Sequence, residues 1–244
     1  MDEDGDKWIR PRENTVEALV YGMNECDGIE LDLRLSKDNR LVLHHDSKTE
    51  FGDYPECLSL DELPDYVEPI EDLLEQKDFI RRWTEEGAFT CFEFKSPHPS
   101  SGKAGGWFNA KERENHMMKM IEELNEILDP IDFSESSTVI YSFEPKIISA
   151  SKKVKTKLKF SRLRPHIRSW GNWTSQRIVA TPSFILNSLP RLMDKQRREN
   201  SPMLPCSLQY LKGIESNLSL GRTVGLEGKK LERLTKYRKG YPVY

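Results

Sequence analysis

Two short stretches carry most of the chemistry this chain could do. Glu30 and Asp32 stand two residues apart in Gly28-Ile-Glu-Leu-Asp-Leu-Arg-Leu35, and Glu93 and Lys95 stand two apart in Cys91-Phe-Glu-Phe-Lys95. On an extended strand, residues i and i+2 project from the same face about 7 Å apart. Carboxylates brought together in that way are costly to bury unless a cation lies between them. A hard divalent cation such as Mg or Ca prefers oxygen donors of this kind. Lys95 would then oppose a phosphate. His45, in Leu41-Val-Leu-His-His-Asp46, supplies a group that titrates near neutrality and can serve as general acid or base. Its neighbour His44 would face the other way on a strand, so at most one of the two shares a site with Glu30 and Asp32.

The alternation in the first stretch has two readings. A half-exposed edge strand with one wet face gives the same pattern. So does a covered strand of a parallel sheet whose charges point into a working site. The second charged strand, around Glu93, favours the latter, because barrel enzymes build their sites at the C-terminal ends of such strands.

The elements that would position these residues can be traced along the chain. Asn14-Thr-Val-Glu17 reads as a capping box with Asn14 as N-cap, opening a helix to about Glu25. Gly28–Leu35 reads as a strand, Asp38-Asn39 as a turn and Arg40–His44 as a second short strand. Residues 46–69, rich in acid, Pro and Tyr, form an insertion or long loop. One helix is expected over 69–83, a strand over 88–94 and a Gly/Ser/Pro loop over 96–106. The apolar stripe Met117, Met120, Ile121, Leu124, Ile127, Leu128 marks a helix over 110–128. Beyond it the pattern predicts strands at 137–142 and 158–163 around a helix at 145–153. More weakly it predicts a helix over 183–196, a strand over 207–211 and a helix over 226–239. Strands alternating with helices argue for a parallel α/β protein, with a barrel as one option.

Composition narrows the setting. The 244 residues suffice for one large domain, and the net charge of -3 gives no basic field to recruit nucleic acid. The lysine-rich run Lys152–Lys159 reads as a solvated face. No apolar run approaches the roughly 18 to 20 residues of a membrane span. The start, Met-Asp-Glu-Asp, lacks the apolar core of a secretion signal, so a cytoplasmic protein is expected. The four cysteines, Cys26, Cys57, Cys91 and Cys206, form no CxxC pair and are expected to be buried free thiols. The sequence leaves the oligomeric state open.

Read together, Arg12-Glu-Asn-Thr15, Gly28–Asp38, Leu41–Asp46, Phe92-Glu-Phe-Lys95 and Ser142-Phe143 resemble the glycerophosphodiester phosphodiesterase family. They are similar to its PENT, ELD, HD, LEIK and SSF segments, in order, over residues 5–164. The resemblance implies a TIM-type (β/α)8 barrel spanning 5–244, with 46–69 inserted in it. It implies hydrolysis of a small glycerophosphodiester, in lipid metabolism, to an alcohol and glycerol phosphate with a divalent cation. Glu30, Asp32 and Glu93 resemble the metal ligands, Lys95 the lysine near the phosphate, and His45 the second catalytic histidine. The family's first histidine belongs to an HRG segment, where this sequence has Glu3-Asp4-Gly5. The family's WTVN strand would follow Gly240-Tyr-Pro-Val-Tyr244. A barrel incomplete at both termini is therefore expected, with about six recognisable strands, as a fragment or a degenerate member. Two other functions fit the same residues. One is an inactive metal- and phosphate-binding module. The other is a phospholipase C-like or sphingomyelinase D-like phosphodiesterase on a related barrel.

Overall fold

The computed structural model describes residues 10–103, 105, 106, 109–163 and 189–205. The chain divides into two units, one of residues 1–140 and 150–158 and the other of residues 141–149 and 159–244. In the first unit lie helix α1 (Val16–Glu25), strands β1 (Gly28–Leu35) and β2 (Leu41–Leu43), helices α2 (Ile70–Leu74) and α3 (Lys77–Thr84), strand β3 (Phe89–Phe94) and helix α4 (Ala110–Leu128). Strand β4 (Thr138–Ser142) and helix α5 (Ile147–Ser151) run across the division, and the second unit adds β5 (Phe160–Arg162) and a helix over Leu189–Arg198.

In the first unit the strand order is β2-β1-β3-β4. β1 and β3 run parallel, with Asp32 opposite Glu93 and Leu33 opposite Phe94. Gly28 lies opposite Phe89, and any Cβ there would meet the Phe89 carbonyl oxygen at 2.2 Å. Only glycine lets the two strands close at that point. β2 returns antiparallel on the free side of β1, Leu33 opposite Leu43, so it is a hairpin arm and not a parallel strand. From Leu31 to Leu35 every residue of β1 is buried, charged ones included. From Leu31 onward both sides of the strand are therefore covered, and of its charged residues only Glu30 is open to solvent.

The helices supply the apolar cover. α1 buries Leu19 and Met23, α3 buries Phe79 and Trp83, and α4 buries Met117, Met120, Ile121, Leu124 and Leu128. Trp83 is the hub, stacked on Phe133 at 5.2 Å and tilted against Phe79 and Phe92, with its indole N–H donating 3.0 Å to Thr138 Oγ1. Each such fully buried large apolar side chain contributes about 1.5–3 kcal/mol. In the second unit Leu163 N–H donates to Ser142 O, and Gln196 Nε2 donates to Arg162 O at 2.7 Å. Leu192, Met193, Met203 and Leu204 are buried there.

Four expectations are corrected. Thr15, not Asn14, caps α1, its hydroxyl accepting from Ala18 N–H, because the Asn14 side chain is engaged elsewhere. The single helix expected over 69–83 is two, broken at Glu75 and Gln76, where Gln76 turns extended. The Gln76 side chain donates back to Asp72 O across that break. The cysteines described are free, yet Cys26 is exposed and Cys57 and Cys91 are half-buried. His44 and His45 lie just past β2, so burial, not strand alternation, separates them.

Residues 46–69 are ordered, with short 3-10 turns at Pro55–Cys57 and Leu60–Glu62. Leu63 and Val67 pack on Val42 with Leu58, Leu60 and Tyr66 around them. Glu68 accepts the Val16 N–H at 2.6 Å, satisfying the start of α1. The helix expected over 183–196 is described from Leu189 onward. The elements expected at 207–211 and 226–239, the segment 241–244 and the Glu3-Asp4-Gly5 stretch lie outside the described residues. Five strands fall among the described residues, and no helix there is long and apolar enough to cross a membrane.

Candidate active site

The parallel register of β1 and β3 puts acid beside acid. Glu30, Asp32 and Glu93 each offer a carboxylate oxygen, and the three oxygens lie within 4.8 Å of one another. Asp32 and Glu93 are buried, and Glu30 is the member open to solvent. Lys95 reaches into the group. Its Nζ donates 2.6 Å to Glu93 Oε1 and lies 2.8 Å from Asp32 Oδ1. The second contact is an ion pair outside hydrogen-bond geometry, so Asp32 Oδ1 is buried without a directed donor.

The charges show how crowded this is. Glu30 is exposed as a residue, yet loss of water around its carboxyl, then the charges of Asp32 and Glu93, push its pKa up to about 8. Burial raises Glu93 as well, with the Lys95 charge opposing. Burial alone would pull Lys95 down, but Glu93 and Asp32 outweigh it and hold its pKa above the ordinary value. The one ammonium, shared between Asp32 and Glu93, is too little positive charge for all three acids to ionise together. All the group's donors are hard oxygens, and one is an undirected buried carboxylate oxygen. That donor set fits a divalent cation such as Mg or Ca.

The backbone at this point is held from the side. Asn14, at φ 58°, donates Nδ2–H to Asp32 O and accepts Asp32 N–H on Oδ1, both at 2.9 Å. His44 N–H also donates to Asp32 O, at 3.0 Å. His44 itself is buried, its ring Nε2 3.1 Å from Lys48 O, and burial keeps its pKa below the usual histidine range. His45 is exposed with Nδ1 3.0 Å from Asp46 Oδ1.

Sequence reasoning missed two residues here. The local pattern makes Asn14 a helix cap, and nothing local distinguishes a capping Asn from one that clamps a strand. Arg34 continues the Glu30-Asp32 alternation and is buried, its guanidinium bonded to Ser96 O and His45 O. The same two-residue spacing that marked the acids could have found it.

Comparison with known proteins bears on the family and the fold. The family model described as "Glycerophosphoryl diester phosphodiesterase family" matches residues 5–180. Among solved structures, a candidate glycerophosphodiester phosphodiesterase from Galdieria sulphuraria is 17% identical at TM-score 0.58, covering 97% of this chain and 78% of that one. An Oleispira antarctica phosphodiesterase, solved with the product sn-glycerol-3-phosphate, is 14% identical at TM-score 0.53, covering 96% and 87%. The glycerophosphodiester phosphodiesterase of Thermotoga maritima is 17% identical at TM-score 0.50, covering 95% and 77%. No curated protein matches by sequence. The α/β architecture is thus of the TIM-barrel type, and the chain belongs to the glycerophosphoryl diester phosphodiesterase family of enzymes.

Proposed function

We propose that the chain hydrolyses a small glycerophosphodiester to an alcohol and glycerol phosphate. The observation that carries this reading is the convergence of Glu30, Asp32 and Glu93 within 4.8 Å, with Lys95 at their edge. These three acids would hold the divalent cation. When bound, it neutralises charge on the phosphoryl oxygens. Lys95, ion-paired with Asp32 and Glu93 at the edge of the group, would meet a substrate phosphate. Its ammonium is a compact point charge suited to a non-bridging oxygen. His45 passes a proton, taking one from the attacking group or giving one to the leaving oxygen. In the overall reaction water adds to phosphorus, one P–O ester bond breaks, and the alcohol leaves with a proton.

The test is product analysis with glycerophosphocholine, with and without Mg or Ca. Free glycerol phosphate formed only with a cation supports the reading. Phosphocholine as product would instead point to phospholipase C-like cleavage, and binding without turnover to a phosphate-binding module.

A further inference from the structure

Arg34 follows Asp32 by two residues on β1, so its side chain leaves the strand on the same face as Glu30 and Asp32. It is 6% exposed. Nη1 donates 3.1 Å to the carbonyl of Ser96, the residue after Lys95, and Nη2 donates 2.9 Å to the carbonyl of His45. One planar cation thus bridges two loops that leave different strands. One loop carries His45, and the other begins immediately after Lys95.

The remainder of the guanidinium is poorly satisfied. Nε is buried with no hydrogen-bond partner. No carboxylate forms a salt bridge with Arg34 among the described residues. The strongest favourable charge on it is Glu56, from the 46–69 segment. Glu56 is itself buried, with Oε1 accepting His98 N–H at 2.7 Å and Oε2 without a partner. A buried cation so incompletely paired is a poor stabiliser, and an apolar side chain of the same volume would often serve as well. Its two directed bonds nevertheless go to the two segments that the proposed chemistry must hold in register. Placement errors of about 1 Å can cost a hundredfold in rate.

We propose that Arg34 is a positioning residue: it ties the His45 segment to the end of β3 so that His45 and Lys95 address one phosphate. The catalytic part of this inference rests on the roles proposed above for His45 and Lys95, whereas the tie between the two loops does not. Lys cannot replace it, because one ammonium lacks the rigid fork that reaches two carbonyls at a fixed separation.

The experiment uses the full chain with Arg34→Met and Arg34→Lys, read by amide hydrogen exchange and by steady-state kinetics. In Arg34→Met, exchange over residues 43–48 and 95–101 should rise together by about tenfold or more, while residues 28–33 and 89–94 stay protected. Where glycerophosphodiester turnover is measurable, kcat should fall at least about tenfold while KM and calcium affinity stay within about twofold. Arg34→Lys should lie between Arg34→Met and the parent. Exchange at both segments unchanged within about twofold would overturn the tie, and so would uniform loosening of the whole unit. If Arg34→Met fails to fold, Arg34→Lys and Arg34→Gln carry the exchange comparison instead. If the unmodified chain hydrolyses no glycerophosphodiester, the functional reading fails, and the exchange result still decides the tie.

Discussion

The side chain of Asn14 pairs with the main chain of Asp32 as a neighbouring strand would, giving one hydrogen bond and accepting another, each 2.9 Å long. The residue before the N-cap of α1 thereby fixes the level at which the Asp32 carboxylate meets Glu93. Asn suits the place twice over. Its amide offers both a donor and an acceptor, and it tolerates the left-handed φ of 58° better than most residues.

Replacing Asn14 with Ala should therefore leave the Asp32 main chain short of partners and cost about 1–3 kcal/mol of stability. Asn14→Asp should be similar, since a carboxylate cannot donate to Asp32 O. Urea unfolding measures the loss. A cost no larger than that of an ordinary surface substitution would show the pairing to be incidental.

Cation binding should depend on pH in a defined direction. With its pKa near 8, Glu30 holds a proton at pH 7, and a cation must displace it. Calcium or magnesium affinity should rise from pH 6 to about pH 8 and then level off. Calorimetry in buffers of different ionisation enthalpy should find proton release that fades above pH 8. Glu30→Gln should abolish the release and weaken binding. Equal affinity in the variant and the parent would remove Glu30 from the cation site.

The two adjacent histidines should behave differently on substitution. His45 is exposed beside Asp46, so His45→Ala should leave stability nearly unchanged. Removing a proton-transfer group typically costs 10²- to 10⁴-fold in rate. His44 is buried against Lys48 O, and His44→Ala should cost stability through a lost hydrogen bond and a small cavity. Parallel kinetics and melting curves separate the two. A catalytic loss confined to His44→Ala would reverse the assignment.

His116 sets an acid limit. It is buried in α4, and burial, with smaller effects of Lys119 and Arg34, lowers its pKa from 6.5 to about 4. The folded state therefore binds this proton more weakly than the unfolded chain does. The stability it protects is complete above about pH 6.5 and is lost as pH falls from there toward 4. At most about 3 kcal/mol is at stake. Denaturant unfolding between pH 7 and 4 should show this decline, and His116→Leu should flatten it.

Much of the site was legible in one dimension because a strand has a period of two. Glu30 and Asp32, then Glu93 and Lys95, each repeat that period, so their shared face follows from covalent geometry. Alternation alone leaves a wet edge strand open; the second charged strand, around Glu93, favours a covered one, and the burial of Leu31 through Leu35 agrees. The Met and Leu stripe over 110–128 likewise matches α4 at both ends, because a long amphipathic helix states its own period.

What the sequence by itself determined was therefore which residues share a strand face or a helix stripe, since local backbone geometry dictates both. Tertiary structure alone decided which strands became neighbours and in what register, and so that Asp32 faces Glu93. It also turned Asn14 from a helix cap into a clamp on Asp32 and divided the helix expected at 69–83. It buried His44 while leaving His45 exposed, and sent Arg34 across to two loops. These outcomes depend on contacts between residues distant in sequence, where the same polar side chain can satisfy any of several partners. Which partner it takes is set by the packing of the whole unit, and no local pattern encodes that.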